Sequence, residues 1–205
     1  MVQRNYFKLK NIILIALTGA LAFIIMLLEF PLPFFPPFLR LDFSDVPALL
    51  TGFALGPVAG LGVVFMRNLL HLTVTATMGV GELANFLISG SLVATASLLY
   101  HLNNKIILNL LLASAVMVIV AVVVNLLLII PLYEAVLDLP LEETLAAAQE
   151  INPAVDSLNS YLIMVIAPFN LMKAIAVSVL FWPIYQKISR SAIYQQFALN
   201  NNGEL

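Results

Sequence analysis

Cysteine is absent from this 205-residue chain, and charge is scarce: Asp, Glu, Lys and Arg together make up 10% of it. Without cysteine there is no disulfide framework, no thiolate metal site and no thiol nucleophile. A soluble domain covers itself with roughly 25% charged residues, so these side chains are too few to form a water-facing shell. A net charge of −2 supplies no basic surface for nucleic acid. The only histidines, His71 and His101, stand 30 positions apart and make no pair at metal-ligand spacing. No G-x-x-x-x-G-K-[ST] run is present, which excludes ATP hydrolysis through a P-loop, and neither H-E-x-x-H nor G-x-S-x-G occurs.

What is abundant is hydrocarbon. Residues of apolar type form 62% of the chain, and the mean hydropathy is +1.04. At about 20 residues per crossing, this length holds six membrane helices with short connections and no second domain. The basic start (Arg4, Lys8, Lys10) ahead of an apolar run has the outline of a signal peptide. The run from Ile12 to Leu28 is too long for one, however, and no small-residue cleavage pattern follows. It reads as a retained first helix. The expected spans are 11–30, 46–56, 57–77, 82–101, 105–130 and 158–186, within one transmembrane domain over 11–190. Residues 1–10 and 191–205 are then a cytoplasmic N-terminus and a cytoplasmic tail. Residues 46–77 would measure roughly 48 Å as one straight helix, longer than a hydrocarbon core of about 30 Å, and Gly56-Pro57 breaks them near the middle. Six crossings also put Lys105, Lys187 and Arg190 on the same side as the basic N-terminus, and the Lys- and Arg-free acidic stretch from Glu134 to Asp156 on the other. The positive-inside rule therefore predicts an all-α polytopic protein of the cell membrane with both termini in the cytoplasm.

Between the helices, PLPFFPPFLRLDFSD (31–45) predicts a stiff, non-helical outer loop whose aromatics suit the membrane interface. LEETLAAAQE (141–150) predicts a short surface helix ended by Asn152-Pro153. Polar residues inside spans are few, and each is a candidate for function because lipid does not solvate it. Arg67 and His71 lie four apart on one helical face; they either serve a site or are satisfied within the bundle. Glu82 opens its span, where a carboxylate suits a helix N-terminus. With Asn85 one turn later it fits a cap, a partner for Arg67 or a ligand contact. Asn170 and Lys173 share a face just after Pro168; an amide and an ammonium together match the edge of a flat heterocycle bearing carbonyls and ring nitrogens. Small residues recur at spacing four, as Ala16 and Ala20 and as Gly52, Gly56 and Gly60, which lets backbones approach closely within the bundle or against a partner.

Taken in order, EFPLPFFPPFLRLDFSDVPALLTGFALGP (29–57), RNLLH (67–71), GELANFLISG (81–90), PLY (131–133) and PFNLMKA (168–174) resemble the riboflavin-binding S components of energy-coupling factor (ECF) transporters. The similarity runs from about Ala16 to Trp182. It implies a six-helix protein that binds riboflavin in a pocket open to the outside. It also implies docking on one transmembrane coupling protein and two cytoplasmic ABC-type ATPases, and toppling of the loaded S component in the membrane to present its ligand inward. Carried over position by position, the resemblance places the isoalloxazine edge against Asn125, Asn170 and Lys173 and the coupling protein against Ala16 and Ala20. Leu41, Phe43 and Tyr133 are expected to contact the flavin ring. Asp42, Ser44, Asp45 and Glu82 are candidates for its ribityl hydroxyls, with Asp45 equally suited to begin the second helix. Flavin is here a transported ligand, and no cofactor is expected.

Two other readings compete. An S component for a different vitamin shares the architecture without this combination of motifs. An intramembrane transferase would use Arg67, His71 and Glu82, but the sequence shows no nucleophile or metal poised beside a base.

Overall fold

The structure is a computed structural model and describes residues 9–192 and 194–196. Five helices in it are long and apolar enough to cross a membrane: Leu9–Met26, Pro57–Val74, Val80–Asn103, Ile106–Leu137 and Leu158–Ile188. A sixth apolar helix, Asp45–Leu55, is shorter. Many large apolar side chains are exposed (Ile12, Leu17, Leu21, Leu111, Ile119 and Val179 among them), an outward-facing surface that suits lipid rather than water.

The first helix, α1 (Leu9–Met26), turns Gly19, Ala22 and Met26 inward. It lies so close to α3 (Pro57–His71) that a Cβ on Gly19 would stand 2.7 Å from Met66 Cβ. A two-residue antiparallel clasp follows: β1 (Phe30–Pro31) pairs with β2 (Arg40–Leu41), Phe30 opposite Leu41. The proline-rich loop is thus pinned at its base, a feature its composition did not announce. The expected break between α2 (Asp45–Leu55) and α3 falls at Gly56, whose φ of 107° is open to glycine and strained for other residues. Pro57 then starts α3, where a missing N–H is harmless. Beyond the break the two helices fold back on each other. Gly60 has Gly52 Cα and Val93 Cγ1 in the space its own Cβ would need, at 3.1 and 2.6 Å. The glycines therefore act in internal packing.

Helix α4 (Val80–Asn103) ends in a left-handed Asn104 and leads into α5 (Ile106–Val124). The chain does not stop near residue 130. It stays helical through a π-turn at Asn125–Ile129 into α6 (Ile130–Leu137). The surface helix α7 (Leu141–Gln149) buries Thr144 and Ala148. Next, α8 (Leu158–Tyr161), opened by a Ser157/Ser160 capping box, passes through a second π-turn at Leu162–Ile166 into α9 (Ala167–Ile188). Both π-turns stand just ahead of a proline, Pro131 and Pro168. In a plain α-helix each ring would strike the carbonyl four residues back; the wider turn relieves that clash, which is how these helices continue through their prolines.

At the end of the bundle that carries Lys105 and Lys187, aromatic rings fill the interior. Phe53 stacks on Tyr100 at 4.3 Å and meets Phe181 edge-on at 4.9 Å, while the Tyr100 and Tyr185 hydroxyls are 2.6 Å apart. The cavity lies towards the other end.

Candidate functional site

The cavity has a volume of about 670 Å³, inside the roughly 300–1,000 Å³ range of pockets that hold drug-sized ligands. Its apolar walls include Met26, Ile88, Met117, Ile129, Ile166 and Phe169, and Phe38 and Leu39 of the clasped loop lie over it. Polar groups enter at a few points. Asn125 and Asn170 stand at or just beyond the two π-turns, and each donates one amide N–H to the carbonyl four residues back, Ala121 at 2.8 Å and Ile166 at 2.9 Å. That bond fixes each amide plane and leaves its oxygen and second N–H for a guest. Lys173, one turn beyond Asn170, donates from Nζ to Asp42 Oδ2 at 2.8 Å. Burial alone would raise the Asp42 carboxyl, but the Lys173 ammonium, the Arg67 guanidinium and the bonds from Lys173 and Ser44 hold it well below the usual carboxylate range.

A buried network backs this wall. Ser44 donates its N–H (2.8 Å) and its hydroxyl to Asp42 Oδ1, and Arg67 donates to the Ser44 hydroxyl. Arg67 also pairs with Asp45 Oδ1 at 2.6 Å and donates to Asn85 Oδ1 at 3.2 Å; its side chain and that of Asp45 are wholly buried. Ser89 Oγ lies 3.1 Å from Asp45 Oδ2 and 2.8 Å from Asn85 Oδ1. Five parts of the chain (the loop, α2, α3, α4 and α9) are joined by these charges. A second cluster sits at the rim: His71 Nδ1 is 2.7 Å from Glu82 Oε1, while Thr75 and Thr77 donate to Glu82 Oε2 at 2.9 and 3.2 Å.

The profile of the family described as "ECF transporter, substrate-specific component" matches residues 10–185, most of the chain. The chain belongs to this family. This S component is 35% identical over 183 residues to the riboflavin transporter RibU of Staphylococcus aureus, covering 88% of this chain and 90% of that one. It is also 35% identical over 188 residues to the riboflavin transporter FmnP of Bacillus subtilis, with 88% and 93% covered. Among solved structures, one described as "Structure and mechanism of the S component of a bacterial ECF transporter" superposes with a TM-score of 0.69 at 34% identity. The match covers 88% of this chain and 95% of that one.

In this S component six of the ten residues expected to contact the flavin meet on the cavity wall, Asp42, Glu82, Asn125, Tyr133, Asn170 and Lys173, and His71 and Asn85 line it beside them. The other four do not. Leu41 and Phe43 pack into the protein, Phe43 beside Phe30 at 6.5 Å, while Ser44 and Asp45 are fully buried behind the wall in the Arg67 network. Asp45 lies in the first turn of α2, after the capping position that Ser44 holds. Arg67 is paired with Asp45, not Glu82, and reaches no surface, so it cannot touch a transferase substrate; Glu82 is paired with His71 instead. Ala20 is exposed and Ala16 partly so, on the outward side of α1. Met117, Tyr161, Phe169 and Phe38 are wall residues that sequence reasoning missed. As ordinary apolar and aromatic positions in apolar segments, they carry no distinguishing signal.

Proposed function

We propose that this S component captures riboflavin from outside the cell and hands it inward with an ATP-driven coupling module. The observation that carries the reading is the pairing of two back-bonded amides, Asn125 and Asn170, with Lys173 on one wall of a largely apolar cavity. A flavin is a flat, mostly apolar tricycle with one edge of carbonyls and ring nitrogens. Amides and an ammonium complement that edge, while Met117, Ile129, Ile166, Phe169 and Tyr133 supply an apolar slot for the rings. Glu82 and the Thr75–Thr77 cluster at the rim suit the ribityl hydroxyls, with Asp42 reachable beside Lys173. The naming of two 35% identical relatives as riboflavin transporters supports the same ligand.

The wider arrangement rests on the charge pattern. Counting α2 as a short sixth span gives one transmembrane domain over 11–190, with both termini cytoplasmic and the cavity opening outward in the cell membrane. Ala16 and Ala20 on the outward side of α1 offer the close-approach surface for the transmembrane coupling protein, below which the two ABC-type ATPases act. The rival reading, a different vitamin in the same fold, is separated by thermal unfolding of the purified protein in detergent. Riboflavin should raise the unfolding temperature, because a ligand bound only by the native state stabilises it, and thiamine, biotin and a pterin at equal concentration should not. A rise with one of those three and none with riboflavin would transfer the assignment to that vitamin.

A further inference from the structure

A second recess lies on the lipid-facing side, between α5 and α9. It is a largely apolar groove of about 340 Å³ walled by Ile107, Leu110 and Leu111 from α5 and by Ile175, Val179 and Trp182 from α9, with Ser114 and Ser178 also in its lining. Asn125 and Asn170 meet at the cavity, so the two helices run antiparallel. The groove therefore runs through the half of the bundle away from the cavity, towards the end where α5 begins and α9 ends. At that end stand Lys105, Lys187 and Arg190, all exposed and, among the described residues, without a carboxylate partner. An apolar recess thus abuts a set of free cations, and Trp182 sits between them, the side chain that favours the membrane–water boundary.

We propose that this groove seats an acyl chain of an anionic phospholipid whose headgroup rests on Lys105, Lys187 and Arg190. The two features select this occupant together. A free phosphate has nothing to place in the groove. A zwitterionic lipid brings its own ammonium to three cations, and gains less there than a lipid of net negative charge. Helix α1, which carries Ala16 and Ala20, packs on α2 and α3 rather than on α5 or α9, so a lipid here leaves the proposed coupling surface open.

Trp182 is the only tryptophan in the chain, which gives the site its own reporter. The protein is reconstituted without flavin in phosphatidylcholine bilayers containing a small, varied fraction of lipid with brominated acyl chains. The brominated lipid is either phosphatidylglycerol or phosphatidylcholine. Quenching of Trp182 by brominated phosphatidylglycerol should reach its midpoint at a roughly five-fold lower fraction, the factor one well-placed cation contributes at a membrane surface. The preference should vanish in the Lys105→Gln/Lys187→Gln/Arg190→Gln variant. It should also vanish in the unaltered protein at about 1 M salt, where charges a few ångströms apart are screened. Equal quenching by the two lipids would overturn the proposal, as would a preference that survives both the triple substitution and the salt.

Discussion

Arg67 is the most deeply buried cation of the described residues, and its surroundings decide what it does. Asp45 faces it at 2.6 Å, and Ser44 and Asn85 accept from it. Removing one partner of such a pair leaves the other charge without compensation in a medium that cannot solvate it, which costs about 3–5 kcal/mol. Arg67→Met should therefore lower thermal stability in detergent sharply, and adding Asp45→Asn should recover much of the loss. If the double variant is no more stable than the single one, Arg67 is held by something other than this charge. Arg67, Asn170 and Lys173 all stood out in the sequence because polar groups are rare in apolar spans. Their partners were harder to see. Asp42 lies 131 positions from Lys173, and no local pattern links the two; only the return of the first loop over the bundle brings them together. For the same reason Ser44 and Asp45 read as candidates for the ribityl hydroxyls, although both are interior residues.

Among the helices, the two π-turns are the devices that build the site. Each precedes a proline, and each sets the rotation of the polar residue beside it relative to the rest of its helix: Asn125 at Asn125–Ile129 before Pro131, and Asn170 after Leu162–Ile166 and Pro168. One extra residue in a helical turn rotates the remainder of the helix by about 100°, enough to carry an amide from the cavity to the lipid face. Pro131→Ala restores the backbone N–H and removes the ring clash that favours the wide turn. It should weaken flavin binding at least ten-fold, measured by fluorescence titration, while leaving the unfolding temperature within a few degrees or raising it. Unchanged affinity would mean that the turn persists without the proline or does not orient Asn125. The span expected over 105–130 stops just short of Pro131, whereas the helix runs on to Leu137; the span expected over 158–186 already passed through Pro168, as the helix does. The Gly56-Pro57 break was legible because glycine and proline act there through their own backbones, whereas the neighbours that crowd Gly52 and Gly60, Ser97 and Val93, depend on how α4 packs.

Taken whole, the molecule has a closed end and a hollow one. Stacked aromatics fill the end near Lys105 and Lys187, while the cavity opens beneath the clasped loop at the other. An aromatic plug at one end and a cavity at the other fit the proposed capture of substrate on one face. Occupation of the cavity by a single flavin, held against Asn125, Asn170 and Lys173, can be checked by titrating riboflavin with the detergent-purified protein and following flavin fluorescence. We predict quenching that saturates at one flavin per chain, weakened roughly 10- to 100-fold by Lys173→Ala through loss of a charge-assisted hydrogen bond. Lys105→Ala, at the far end of the bundle, should leave it unchanged. Fluorescence that stays unquenched with folded protein, or equal weakening by the two lysine substitutions, would mean that no flavin is held there by Lys173.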